Sequence, residues 1–305
     1  MSSVTAGDWT GVFPAVTTQF ASDETIDLEA SQAHVRTLVE AGVDGLIMLG
    51  TLGEATTMEP EEKREVIRAT LEAVDGRVPV LAGVAENSTR AACRFAADMQ
   101  ALGCSGLMVL PAMIYKADAG EAMAHFRAVA RASDLPIMVY NNPVTYGVDV
   151  TPEMFAELAD EETLIAIKES SDDPRRITDI VNAVGDRFTL FCGVDDLALE
   201  TALLGTSGWV AGLVNAFPEE SVRLWRLIRE ERWAEARALY RWFTPLLHLD
   251  VHSKLVQYIK LAQALCGHGS ETVRAPRRKL EGAERARVTA IVQAGLDARP
   301  KLAAE

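Results

Sequence analysis

A lysine set in an apolar run is the first residue here with an obvious chemical use. Lys168 sits in Leu164-Ile165-Ala166-Ile167-Lys168-Glu169-Ser170. Burial there disfavours the ammonium, lowers its pKa and leaves a neutral amine, which is a nucleophile toward carbonyls. The structural alternative is a lysine at a solvated strand end, paired with Glu169 or Glu54. Tyr140, in Val139-Tyr140-Asn141-Asn142-Pro143, ends the preceding apolar run. Its phenol both donates and accepts, so it can relay protons, or it can be an aromatic plug whose hydroxyl caps a loop. A third stretch, Leu49-Gly50-Thr51-Leu52-Gly53-Glu54, offers exposed backbone N–H groups and the Thr51 hydroxyl to a carboxylate or phosphate.

Such groups work together only if their elements bring them to one end of a sheet. Eight short apolar runs recur along the chain: 11–18, 45–50, 78–84, 106–110, 136–141, 164–170, 188–193 and 207–213. Their hydrophobicity is continuous rather than alternating, as in parallel strands covered on both faces. Amphipathic stretches separate them, at 28–42, 60–74, 88–103, 120–133, 151–160, 172–185 and 195–205. Pro60 after Glu59, and Ser88 before Thr89, mark helix starts. Gly42, Gly103, Gly185 and Gly205 mark helix ends. Eight β-then-α units in sequence predict an α/β fold, a (β/α)8 TIM barrel over residues 8–215, whose active residues project from the C-terminal strand ends. A doubly wound sheet is the other fold considered, but no Gly-x-Gly-x-x-Gly follows the first strand. Four further helical stretches predict a small C-terminal extension of helices packed on the barrel, residues 216–300.

The chain has 305 residues, with 44 acidic and 30 basic side chains and a net charge of −14. That balance, without a basic run, speaks against nucleic acid or an anionic membrane as partner, while a small anionic substrate is allowed. No run reaches the roughly 18 apolar residues of a membrane span. The opening MSSVTAGDWTGVF lacks a secretion signal, so a cytoplasmic protein is expected. Cys93, Cys104, Cys192 and Cys266 are far apart and form no CxxC pair, as expected of reduced, buried thiols. His248 and His252 have the i, i+4 spacing of a metal pair, but no carboxylate-bearing helix motif completes a site. A helix-start or interface role is therefore expected for them, and no metal. His34 and His125 read as surface or packing residues of amphipathic helices. Asp195 and Asp196 read as helix caps, and Trp225, Trp233, Tyr240 and Trp242 as core or interface aromatics.

Taken together, Gly50-Thr51-x-Gly53-Glu54, Tyr140-Asn141-x-Pro143, Lys168-Glu169 and Cys192-Gly193-Val194-Asp195-Asp196 resemble the dihydrodipicolinate synthase/N-acetylneuraminate lyase family of class I barrels, over roughly residues 10–300. The resemblance implies that Lys168 forms a Schiff base with a 2-oxo acid, usually pyruvate, and that Tyr140 relays protons. It further implies that Thr51, with the N–H groups of Thr51 and Leu52, holds the substrate carboxylate. Gly50, Gly53, Asn141, Thr145 and Val210 would line the substrate site. No cofactor is implied, because the lysine itself provides the electron sink. Family members are commonly homotetramers built from dimers, so a homo-oligomer is expected.

Departures from the synthase pattern narrow the substrate. Thr51-Leu52 stands where the synthases have two consecutive hydroxyl residues, and Thr145 where they carry an arginine for the second substrate's carboxylate. Pro111-Ala112-Met113-Ile114-Tyr115 replaces a tyrosine pair. Threonine cannot replace a bidentate guanidinium in a dicarboxylate site. With Val256-Gln257-Tyr258-Ile259-Lys260 and Ser270-Glu271-x-Val273-Arg274-x-Pro276-Arg277, the chain looks most like the 1-pyrroline-4-hydroxy-2-carboxylate deaminases of hydroxyproline catabolism. That likeness implies dehydration and deamination of the cyclic imine to 2,5-dioxopentanoate. The rival enzymatic readings are a 4-hydroxy-tetrahydrodipicolinate synthase and a 2-keto-3-deoxy sugar acid aldolase or dehydratase. The non-enzymatic rival is a barrel that only binds a 2-oxo acid.

Overall fold

The computed structural model describes residues 9–112 and 115–301. The N-terminal stretch read for a secretion signal therefore lies outside the described residues up to residue 8, as do Met113 and Ile114 of the stretch after the fourth strand. Eight strands form one parallel sheet: β1 (Gly11–Pro14), β2 (Leu46–Met48), β3 (Val80–Val84), β4 (Gly106–Val109), β5 (Ile137–Asn141), β6 (Leu164–Glu169), β7 (Thr189–Cys192) and β8 (Gly208–Ala211). Neighbours follow the order β1-β8-β7-β6-β5-β4-β3-β2, and a parallel bridge between Ala15 and Ile47 brings β1 against β2. The sheet is thus a nearly closed (β/α)8 barrel. Every strand residue is buried, which is why the runs lack polar alternation.

Helices α1 (Leu28–Glu40), α2 (Pro60–Val74), α3 (Thr89–Leu102), α4 (Ala119–Ala130), α5 (Pro143–Tyr146), α6 (Pro152–Leu158), α7 (Arg175–Val184) and α8 (Ala198–Leu203) run between the strands. Their starts follow local chemistry. Glu59 and Glu62 make a capping box around Pro60 at the start of α2, and the Ser88 side chain accepts from the Ala91 N–H at the start of α3. Gly103 ends α3 with φ 92°, a conformation that favours glycine.

The extension comprises α9 (Pro218–Arg229), α10 (Trp233–Leu247), α11 (Leu255–Leu265) and α12 (Gly282–Asp297). Its apolar faces join the same buried cluster as the barrel helices. Trp225 and Tyr240 are buried in it, and Trp242 stacks on Phe243 with ring centroids 5.2 Å apart. No helix among the described residues is long and apolar enough to cross a membrane.

Candidate active site

Strand register brings the predicted residues side by side. Tyr140 on β5 pairs with Lys168 on β6, which pairs in turn with Phe191 on β7. Lys168 is 6% exposed, and its Nζ lies 3.9 Å from the centroid of the Tyr140 ring. Among the described residues no carboxylate pairs with it. The partners considered in the structural alternative are engaged elsewhere: Glu54 with Lys260 at 3.0 Å, and Glu169 with the Asn141 side chain at 3.0 Å and the Ser171 N–H at 2.7 Å. Burial lowers the lysine's pKa, opposed by the charges of Asp250 and Asp195 and by Tyr146. Gly193 makes room for the chain, since a Cβ there would lie 2.8 Å from Lys168 Cε.

The phenol of Tyr140 accepts from Asn142 Nδ2 at 3.1 Å, and burial raises its pKa. Its ring meets Tyr146 edge-on, with centroids 5.6 Å apart. Tyr146 OH and Thr51 Oγ1 are 2.5 Å apart, so the Thr51 hydroxyl is joined to the tyrosine pair beside Lys168. Burial raises the Tyr146 pKa as well. Around Thr51 the loop is tight: a Cβ at Gly53 would lie 3.0 Å from the Val16 carbonyl oxygen. The N–H groups of Thr51 and Leu52 meet no acceptor among the described residues. An anion bound there would find two free donors and a hydroxyl.

Behind the lysine, Asp195 is fully buried. It accepts from Trp209 Nε1 at 3.0 Å, from the Leu213 N–H at 2.7 Å and from the Gly212 N–H at 3.1 Å. Burial pushes its pKa up to about 6 against these donors. The capping role read for Asp195 is therefore replaced, because its carboxylate ties β7 to the turn after β8 instead of closing its own helix. Asp196 accepts from His248 Nδ1 at 2.6 Å, and His252 stacks on Tyr258. His248 thus sits at the C-terminal end of α10, not at a helix start. No group of three or more potential metal ligands occurs among the described residues.

A lysine amine, a phenol and an anion cradle at the C-terminal ends of parallel strands suit chemistry on a small carbonyl acid. The whole barrel and most of the extension match one family model, the Dihydrodipicolinate synthetase family, over residues 8–295. The chain belongs to the dihydrodipicolinate synthetase family.

Among its relatives, the 4-hydroxy-tetrahydrodipicolinate synthase of Methanosphaerula palustris is 33% identical over 92% of this chain and 98% of that protein. The crystal structure of Escherichia coli K12 YagE, a member of the dihydrodipicolinic acid synthase family in complex with pyruvate, superposes with TM-score 0.89. It is 30% identical and covers 94% of this chain and 99% of that one. A structure described as the first monomeric dihydrodipicolinate synthase variant is 27% identical, with TM-score 0.88, covering 95% of this chain and 97% of that one.

Within this dihydrodipicolinate synthetase fold, Lys168, Tyr140, Thr51, Gly50, Leu52, Gly53 and Val210 all occupy C-terminal strand ends or the turns that follow them. Asn141 is committed to the scaffold. Its Oδ1 accepts from the Val150 N–H at 2.8 Å, and its Nδ2 donates to Glu169 and Asp149. Thr145 is exposed on α5, and its N–H donates to Asn142 Oδ1 at 2.9 Å. Tyr146 is not legible in the sequence, because only the four-residue helix α5 turns that ring back onto Tyr140. The tail motifs act at a distance: Lys260 and the Arg274 N–H both bind Glu54, and the Arg274 guanidinium binds Glu62 at 2.8 Å.

Proposed function

We propose that this chain is a Schiff-base-forming lyase acting on a small 2-oxo acid or its cyclic imine, specifically a 1-pyrroline-4-hydroxy-2-carboxylate deaminase. One observation carries the reading: a buried Lys168 amine, without a counter-ion, held over Tyr140 and beside the Thr51–Tyr146 pair. A buried amine kept neutral attacks C2 of the substrate while Thr51 and its neighbouring N–H groups hold the carboxylate. The iminium so formed is a stronger electron sink than a ketone, so a C3 proton leaves through Tyr140 to water and an enamine results. With the pyrroline, the ring nitrogen leaves C2 as a C5 amine when the iminium forms. The enamine then expels the 4-hydroxyl as water, and proton shifts convert the C5 amine to an imine. Two water molecules hydrolyse the C5 imine and the Lys168 imine to ammonia, free Lys168 and 2,5-dioxopentanoate.

The choice of substrate rests on the turn after β5. Thr145 there offers no guanidinium for a second carboxylate, which favours a monocarboxylate. The second reading, a 2-keto-3-deoxy sugar acid aldolase or dehydratase, draws on the 31% identity to YagE, a protein named for 2-dehydro-3-deoxy-D-gluconate aldolase activity. Both readings share Lys168 and differ in product.

Borohydride reduction with pyruvate, with sugar-derived 2-oxo acids and with 1-pyrroline-4-hydroxy-2-carboxylate, followed by intact mass and peptide mapping, tests the reading. A single adduct on Lys168 and ammonia release from the pyrroline are expected. Pyruvate and an aldehyde as products would favour the second reading, and folded protein that traps no ligand would rule out the imine chemistry. Light scattering on the same sample tests the homo-oligomer that belongs to this reading.

A further inference from the structure

The extension brings one more carboxyl group to Lys168, and the steps above leave it unused. Asp250 lies between α10 and α11; the residue is partly exposed, yet its Oδ1 is buried and has no hydrogen-bond partner among the described residues. A buried acceptor without a donor is costly, and such orphans in native proteins call for an explanation. Space for the group is made by Gly212, directly after β8, where a Cβ would lie 2.0 Å from Asp250 Oδ1 and 2.6 Å from its Cγ. Asp250 is close enough to Lys168, Asp195, Asp196 and Tyr140 for each to affect, or be affected by, its charge.

The two acids beside the lysine differ in their bonding. Asp195 has both oxygens occupied by N–H donors, which leaves it no open position toward a substrate. Asp250 keeps one oxygen open. Burial, and then the charge of Asp195, push its pKa well above the usual carboxylate range, against the pull of Lys168.

We infer that Asp250 is the acid of this site, handing its proton to the hydroxyl that leaves a 4-hydroxy-2-oxo acid, or its cyclic imine, bound on Lys168. The inference rests on the function proposed above and deepens it. In the step, the nitrogen lone pair re-forms the C2 iminium and the C2–C3 π pair moves to C3–C4. The C4–O bond breaks with its electrons on oxygen, and the Asp250 proton completes a water molecule. Asp250 is left as a carboxylate and regains its proton from solvent, with no change of oxidation state. Pyruvate carries no 4-hydroxyl and so does not pass through this step.

The test is timed borohydride trapping of wild type, Asp250→Asn and Asp250→Ser with 1-pyrroline-4-hydroxy-2-carboxylate and with pyruvate, together with an ammonia assay across pH. Both variants are expected to trap pyruvate on Lys168. Their pyrroline adducts should keep the hydroxyl, heavier by one water than the wild-type adduct, and ammonia release should fall about 100-fold or more. The fall in wild-type kcat as Asp250 loses its proton, among Lys168, Asp195, Asp196 and Tyr140, should vanish in the variants. The serine variant guards against an asparagine variant that misfolds. Ammonia release within about threefold of wild type in either folded variant overturns the inference alone. Wild type that traps pyruvate but eliminates nothing from the pyrroline overturns the proposed function and this inference with it.

Discussion

Lys168 is held as a buried amine beside a phenol, an arrangement that favours reactivity over stability. Burial lowers its pKa from the ordinary lysine value of 10.5. Between the two values the native state binds fewer protons than the unfolded chain, so stability rises with pH across that window. Lys168→Met removes the amine while keeping much of its length. The variant should trap no 2-oxo acid and should gain on the order of 1 kcal/mol of stability near neutral pH. The gain should shrink as the pH climbs toward 10.5, where unfolded lysine also loses its proton. Urea titrations of both proteins at neutral and alkaline pH measure this, and an unchanged or lower midpoint at neutral pH would mean that burial does not lower the lysine's pKa. Lys168, Tyr140 and Thr51 were legible in the sequence because each closes an apolar run or opens the turn after one. Tyr146 and Asp250 were not. The first depends on a single helical turn and the second on a segment more than eighty residues from the lysine, so neither position is encoded in local periodicity.

The turn after β2 shows how an element is held in a shape its residues do not prefer. Leu49 and Glu54 flank the Thr51 turn with φ of 59° and 57°, a region that non-glycine residues enter infrequently. Gly83 on β3 permits the first of these, because a Cβ there would lie 2.6 Å from the Leu49 carbonyl oxygen. Glu54 is pinned by Lys260 of α11, with both side chains fully buried, and Lys260 Nζ also donates to the Thr18 carbonyl at 2.7 Å. Removing one partner of such a pair strands a buried charge. Lys260→Met should therefore cost about 3–5 kcal/mol, and the double variant with Glu54→Gln should recover part of it. Because Thr51 lies three residues before Glu54, the single variant should also raise the KM for a 2-oxo acid more than it lowers kcat. Chemical denaturation and initial rates on the three proteins check both expectations. Equal stability of the single and double variants would show that the ion pair does not hold the turn. The turn's glycines could be read in the sequence, but its anchor could not, since Glu54 and Lys260 are 206 residues apart.

At the scale of the molecule, the barrel was written in eight apolar runs, whereas the work of the extension lies in contacts between distant residues. Those contacts reach back repeatedly. Arg274 donates to the Glu24 carbonyl and to Glu62, and the Tyr240 hydroxyl donates to the Asp196 carbonyl. Val256, Ile259, Leu261, Val288 and Val292 share one contiguous buried cluster with the strands. A module with its own core would melt on its own, but an extension whose apolar residues share the barrel's buried cluster and whose Lys260 and Arg274 pair with the barrel carboxylates Glu54 and Glu62 should have no folded state without it. The division at residues 215 and 216 seen in the sequence should then have no thermodynamic counterpart. Calorimetry is expected to give one cooperative transition, and hydrogen exchange should protect α11 and the barrel strands to a similar degree. A separate low-temperature transition, with α9 to α12 exchanging well before the strands, would make the extension an independent unit. In that case Lys260 and Asp250 would be lost from the site before the barrel itself unfolds, and imine formation would fail at the first transition. If the extension and barrel form one unit, activity and fold should disappear at the same temperature.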